Sequence, residues 1–269
     1  MQEQNNYSAL IAFPEHKLNE FSSKLKLKNL DLEIFNFAVL KLINKEFELN
    51  NIESFDYIVL ASSFAAEIFV KKIKLIYKNQ TQANLNLPLI LTVGPSISQI
   101  ISSQQLNVYK QANTIFNMFG LINEIEKSIP VQNKSFLFLG QSKSNYKDLE
   151  QLIISKGGKF EKLIIYESQP VNHPDWENLN SFIQSTKEKV LVFSSPEGIR
   201  SFKELIKLKN INPNLFFTNK TIKKIFCLGS LTQKEASLSW FHDICLCPEN
   251  SYSYNSLIEL MQKTLYSNS

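Results

Sequence analysis

Arginine is almost absent: of 29 basic residues in a chain of 269, only Arg200 is one. The guanidinium fork is the usual bidentate partner of phosphate and guanine, so its scarcity argues against nucleic acid as a partner. Histidine is nearly as scarce, at His16, His173 and His242, which removes histidine-centred acid–base chemistry and metal clusters from expectation. The three cysteines, Cys227, Cys245 and Cys247, are an odd set late in the chain and form no disulfide framework. They fit a reducing compartment, the cytoplasm. Seven glycines exclude glycine-rich architectures, and no apolar run approaches the roughly 18 residues of a membrane span. The first 16 residues hold one short apolar run, Ala9–Phe13, with no basic residue before it. No signal peptide is expected from them.

What is present describes a globular protein: 43% hydrophobic, 12% aromatic and 20% charged residues, with a net charge of +4. The length favours two compact domains. Scattered lysines suit an anionic small molecule, and equally a solvated lysine-rich surface. Short β-prone runs alternate with helix-period stretches: Ala9–Phe13, Leu32–Phe37, Tyr57–Ala61, Leu87–Val93, Ser135–Leu139, Phe160–Tyr166, Lys189–Phe193, Lys224–Leu228 and Asp243–Cys247. Such alternation predicts an α/β fold with parallel sheets. Runs such as Tyr57–Ala61 and Val190–Phe193 are apolar throughout, as in strands covered on both faces. Ser62 and Ser63 precede a predicted helix over Phe64–Lys74, and Ser194, Ser195 and Pro196 one over Glu197–Lys207. Hydroxyl caps and a first-turn proline mark both helix starts.

These two segments repeat each other. An offset of 133 (195 − 62) places Ser62 on Ser195, Ala65 on Gly198, Phe69 on Phe202, Ile73 on Ile206 and Leu75 on Leu208. Downstream in each half, Ile90–Ser96 and Ile225–Leu231 repeat a strand–Gly–helix order. Two similar lobes follow, with a ligand cleft expected between them. Gln169–Pro174, with two prolines, reads as a linker, and 79–87 and 210–214 as polar surface loops.

The Walker loop, the G-x-G-x-x-G fingerprint, H-E-x-x-H and the G-x-S-x-G elbow are all missing. What remains is a set of turns at strand carboxyl ends: Ser62-Ser63, Gly94-Pro95-Ser96, Gly140-Gln141-Ser142-Lys143-Ser144, Ser194-Ser195-Pro196 and Gly229-Ser230-Leu231-Thr232. Ligands of open α/β sheets bind there, and helix starts offer N–H groups and positive dipole ends to carboxylates or phosphates without arginine. Any single serine is equally well a helix cap. The three thiols lie on neighbouring predicted strands, which leaves a soft-metal site open beside the plainer reading of buried apolar thiols.

These residues resemble the uroporphyrinogen-III synthases. Val190–Phe202, with Ser194-Ser195-Pro196-Glu197-Gly198 at its centre, resembles that family's strand-T/S-S-P-S-G segment, and Phe226–Thr232 its strand-G-P-T-T turn. Ile165-Tyr166-Glu167 is similar to its V-Y-x element, Ala12–Glu15 stands at its T-R-P, and Thr92–Pro95 at its first V-G turn. The resemblance implies two similar flavodoxin-like lobes joined by two crossing strands, one of residues 1–37 with 168–269 and the other, 38–167, inserted. It implies a cofactor-independent cyclising lyase of porphyrin and heme biosynthesis. Its substrate is hydroxymethylbilane, a linear tetrapyrrole with eight carboxylates, closed with inversion of ring D through a spiro intermediate. A cytoplasmic monomer supplied by transient handover from hydroxymethylbilane synthase goes with it, with no nucleic acid or membrane partner and no metal.

By position, Tyr166 matches the family tyrosine and is the candidate to hydrogen-bond the departing hydroxyl. Ser62, Ser63, Ser96, Ser142, Lys143, Ser195, Ser230 and Thr232 are the candidates to hold substrate carboxylates. The chain departs from the family pattern at Phe13, in place of the T-R-P arginine, and at Phe64, Ile97, Glu197 and Leu231. Two other readings stay open: a catalytically inactive two-lobed tetrapyrrole- or anion-binding homologue, and a two-lobed transferase or effector-binding module.

Overall fold

The computed structural model describes residues 6–28, 30–77, 87–144, 146–216, 221–239, 242–249 and 253–266. The chain divides into two compact units, Met1–Leu42 with Ser168–Ser269 and Ile43–Glu167. It passes between them twice, in the strands β2 (Leu32–Asn44) and β8 (Tyr166–Pro170). The first division falls after Leu42 rather than after Phe37, inside β2, which runs unbroken to Asn44.

In the first unit β1 (Tyr7–Pro14) is central, with α1 (Glu15–Leu27) following it. Its continuous apolar run is explained by alternation: Ala9, Ile11 and Phe13 enter one core and Leu10 and Ala12 the other. The first core is filled by Phe21 and Leu25 of α1 and by Leu257, Ile258 and Met261 of α9 (Tyr254–Tyr266). The second takes Leu179 and Phe182 of α6 (Trp176–Gln184) and Phe202, Leu205 and Ile206 of α7 (Pro196–Leu208). Both faces of the strand are therefore dry, as parallel sheets require. β9 (Glu188–Phe193), β10 (Ile222–Cys227), α8 (Ser230–Ser237) and the two-residue β11 (Cys245–Leu246) complete the unit. The sheet runs β11-β10-β9-β1-β2-β8, with β1 parallel to both β2 and β9.

The second unit contains β3 (Tyr57–Leu60), α2 (Ser63–Ile76), β4 (Leu89–Thr92), α3 (Pro95–Ser102), β5 (Val108–Gln111) and α4 (Met118–Ser128). It continues with β6 (Ser135–Gly140), α5 (Lys147–Ser155) and β7 (Lys159–Ile164). Its sheet runs β5-β4-β3-β6-β7 and its paired strands are parallel. In each sheet the chain turns outward in opposite directions from one point, between β3 and β6 here and between β1 and β9 in the first unit. The single switch point is a feature shared with flavodoxin, although here it separates the first and fourth strands of the unit.

Several expectations are corrected. Phe160–Tyr166 is two strands, because Ile165 leaves the ladder to donate to Gly140 O (2.9 Å) and accept from Lys45 N (3.0 Å). Gln169 and Pro170 end β8 instead of opening a linker, since a proline at a strand end leaves no ladder donor missing. Asp243–Cys247 opens as a 3-10 turn over His242–Ile244 before β11. β5 adds a strand that the sequence pattern does not predict: Val-Tyr-Lys-Gln is polar, as an edge strand permits. The loop expected at 79–87 lies, up to 86, outside the described residues, and the one at 210–214 contains a 3-10 turn over Pro213–Leu215.

Candidate functional site

Each repeat segment is a strand turning into a capped helix. Ser62 Oγ accepts from Ala65 N (3.1 Å) at the start of α2, and Ser195 Oγ from Gly198 N (3.1 Å) at the start of α7. The same correspondence holds inside the helices: Phe69 and Phe202 are fully buried, Ile73 and Ile206 nearly so, and Leu75 and Leu208 are exposed. The repeat thus records one solution to covering a parallel sheet, used twice. The second repeated pair starts α3 and α8 after Gly94 and Gly229, with no side-chain cap at either.

In the second unit Ser62 follows β3, and Gly140 ends the adjacent strand β6. The turn after β6 and the start of α2 therefore meet at the switch point. Ile165 is tied to Gly140, which brings Tyr166 to the same end of the sheet. There its Oη lies 2.9 Å from Ser62 Oγ, across 104 residues of sequence. The tyrosine is 4% exposed, and the Phe64 ring stands edge-on to it with centroids 5.0 Å apart at 80°. Burial pushes the Tyr166 phenol above its usual value and nearby Glu167 adds to this, while the Ser62 hydrogen bond works against both. The phenol is therefore neutral at physiological pH and can act as a hydrogen-bond donor.

Ser63, the first residue of α2, is half-buried, and Ser96, the second of α3, is exposed. Ser142 and Lys143 are exposed in the turn after β6, where Ser142 Oγ donates to Glu167 Oε2 (2.9 Å). Gln141 Oε1 in that turn is buried with no hydrogen-bond partner among the described residues. Of the second-unit candidates, the structure joins Ser62 directly to Tyr166. Phe64, Gln141 and Glu167 stand in segments that the sequence marks, but without the part they take beside this pair: nothing local marks an aromatic or a glutamine as the neighbour of a distant tyrosine.

In the first unit Ser195 and Ser230 follow β9 and β10, adjacent strands of the sheet. Ser230 is exposed. The sequence leads one to expect the Thr232 side chain to be on offer, but at 3% exposure it is buried. Its backbone N–H, ahead of the first helical bond from Gln233 N to Gly229 O, is what that position presents. Arg200 ties α7 to α8, with Nη2 on Glu197 (3.0 Å) and Nη1 on Glu235 (2.6 Å). Glu197 is thus the partner of the chain's one arginine. Phe13, where the sequence resemblance leads one to expect an arginine, is fully buried against Phe21 and Tyr254, with ring centroids 4.6 Å and 5.8 Å away.

Cys227 and Cys245 are buried free thiols and Cys247 is half-buried. Burial pushes all three thiols up, Cys245 to about 11. Among the described residues no group of three or more His, Cys, Asp or Glu side chains could hold a metal ion, so the soft-metal reading finds no ligand set. No helix among them is long and apolar enough to cross a membrane.

The model of the family uroporphyrinogen-III synthase HemD matches residues 22–259. No curated protein is significantly similar in sequence. Among solved structures, a mutant uroporphyrinogen III synthase from the extremely thermophilic bacterium Thermus thermophilus superposes with a TM-score of 0.63 at 12% identity, over 97% of this chain and 99% of that one. The uroporphyrinogen-III synthetase of Helicobacter pylori gives 0.55 at 14% identity, over 96% and 99%. Those likenesses show a shared fold. The family match takes in both repeated strand–helix turns and Tyr166, and on it the chain belongs to the uroporphyrinogen-III synthases, the cofactor-independent cyclising lyases of tetrapyrrole biosynthesis.

Proposed function

We propose that Tyr166 is the group that assists this chain in closing hydroxymethylbilane to uroporphyrinogen III. The observation that carries the reading is the buried, neutral phenol held 2.9 Å from Ser62 at the carboxyl ends of the second unit's strands. The C–O bond of the ring-A hydroxymethyl group breaks with electrons supplied by the pyrrole nitrogen. The leaving oxygen, hydrogen-bonded by Tyr166, takes up a proton and departs as water. The azafulvenium cation so formed, its nitrogen still protonated, is attacked by the substituted carbon of ring D. The spiro intermediate fragments and recloses, and a proton lost on rearomatisation balances the one taken up. Unaided closure gives the uninverted isomer, so the protein's main task is to hold ring D in the productive geometry.

The carboxylates supply that hold. Ser62, Ser63, Ser96, Ser195, Ser230 and the Thr232 amide lie at the starts of α2, α3, α7 and α8, where the helix dipoles favour anions, and Ser142 with Lys143 adds a polar turn. The burial of Phe13 leaves no cation at the position where the family has one. That observation favours one alternative, a homologue that binds the tetrapyrrole without turning it over. We take the enzyme to act in the cytoplasm, which the free thiols suit, as a monomer, and to receive its substrate by transient handover, because free hydroxymethylbilane closes to the wrong isomer. Tyr166→Phe lowers kcat about 10- to 100-fold on this reading, measured as type III product from hydroxymethylbilane made in situ. Unchanged turnover would reject the role of Tyr166.

A further inference from the structure

We propose that Ser62 is a positioning residue for this reaction: its hydroxyl donates to Tyr166 Oη and so directs the phenolic proton to the oxygen that leaves the substrate. The inference rests on the role given to Tyr166 above and reassigns Ser62 from holding a carboxylate. A serine hydroxyl has one proton and two lone pairs. One lone pair of Ser62 Oγ is taken by Ala65 N–H at 3.1 Å, and the contact with Tyr166 at 2.9 Å admits either atom as donor. Were the tyrosine the donor, its proton would be held by Ser62 and withheld from the substrate. The Ala65 amide and the positive end of α2 both withdraw electron density from Oγ, which strengthens the serine as a donor, and with one lone pair already taken it has less to offer as an acceptor. Tyr166 Oη then accepts, and its own proton is aimed elsewhere.

The first turn of α2 also fixes the ring. Phe64, two residues beyond Ser62, sets its ring edge-on against Tyr166, so one helix start controls both the position of the phenol and the direction of its proton. An aromatic side chain here adds apolar surface around a group that must remain protonated.

Four variants test the inference: Ser62→Gly, Ser62→Thr, Tyr166→Phe, and Ser62→Gly combined with Tyr166→Phe. Glycine at a helix N-cap costs only a few tenths of a kcal/mol relative to serine, so the fold is kept. Ser62→Gly is expected to lower kcat about 5- to 10-fold with little change in KM, as for loss of one neutral hydrogen bond. Ser62→Thr retains the hydroxyl and recovers kcat to within about threefold. The double variant is no slower than Tyr166→Phe, because a residue acting through Tyr166 has nothing left to act on. An ultraviolet titration of the phenol, with Tyr166→Phe as the blank, shows Tyr166 ionising at higher pH in Ser62→Gly, since a donor to the phenolate has gone. A rise in KM alone, or a full Ser62→Gly loss in kcat persisting in the Tyr166→Phe background, would make Ser62 a substrate ligand and overturn the inference. If Tyr166→Phe is slow and Ser62→Gly is not, positioning fails alone; if Tyr166→Phe is unaffected, the role of Tyr166 fails as well.

Discussion

Placing at position 13 the arginine that the sequence resemblance leads one to expect there, as Phe13→Arg, should unfold the first unit rather than improve catalysis. Phe13 has no exposed surface and packs with Phe21 and Tyr254 in a core that also holds Ile11, Leu25, Leu257 and Met261. Removing a buried phenylalanine costs about 3–5 kcal/mol. A guanidinium buried without a partner adds several kcal/mol more. The sum exceeds about 5 kcal/mol, the lower end of the total stability of a typical domain. Circular-dichroism melts should show a Tm lowered by about 10 °C or more, or no cooperative transition, with about 2–4 °C per kcal/mol for a domain of this size. Phe13→Leu is the control, expected to cost about 1–3 kcal/mol. A Phe13→Arg protein melting within a few degrees of the parent, with raised activity, would show that position 13 faces the substrate and refute the reasoning.

Substitutions at three further positions follow from local geometry. Ser195→Ala removes the acceptor for Gly198 N and should cost about 1 kcal/mol, and Ser195→Gly only a few tenths, read from urea unfolding. Gly120→Ala would place a methyl carbon 1.8 Å from the Ile115 carbonyl oxygen, so the second unit should lose about 3 kcal/mol or more; unchanged stability would mean that this turn moves aside. The Asp56 carboxylate is held below its usual value by Lys134, 2.7 Å away, and by the Ser135 N–H. A lowered carboxylate contributes stability above its unfolded pKa of about 3.9 and loses it as pH falls through the folded value. Urea midpoints of the parent and Asp56→Asn should therefore differ slightly at pH 6, the pair being solvent-screened, and converge as the pH falls through the lowered folded value.

The strands that sequence reveals are those with both faces covered. β1 and β9 read plainly because Ala9–Phe13 and Val190–Phe193 feed two cores in alternation. β5, a four-residue edge strand of mixed polarity, carries no such pattern, and β11 is too short to have one. The helix caps at Ser62 and Ser195 are legible because capping is local chemistry, fixed by a hydroxyl three residues ahead of an amide. The partner of Ser62 is not, since the contact with Tyr166 depends on the order β3-β6-β7 and on the break at Ile165. Thr232 shows the opposite failure: a hydroxyl in a helix-start motif looks available in sequence, and packing buries it.

The central claim is turnover with inversion of ring D. Purified protein is supplied with hydroxymethylbilane made in situ by its synthase, the products are oxidised, and the type I and type III isomers are separated by chromatography. Predominantly type III product, formed faster than spontaneous closure and reduced in Tyr166→Phe, is the result predicted. Type I product alone, at the spontaneous rate, would contradict the account and leave a fold that binds tetrapyrroles without transforming them.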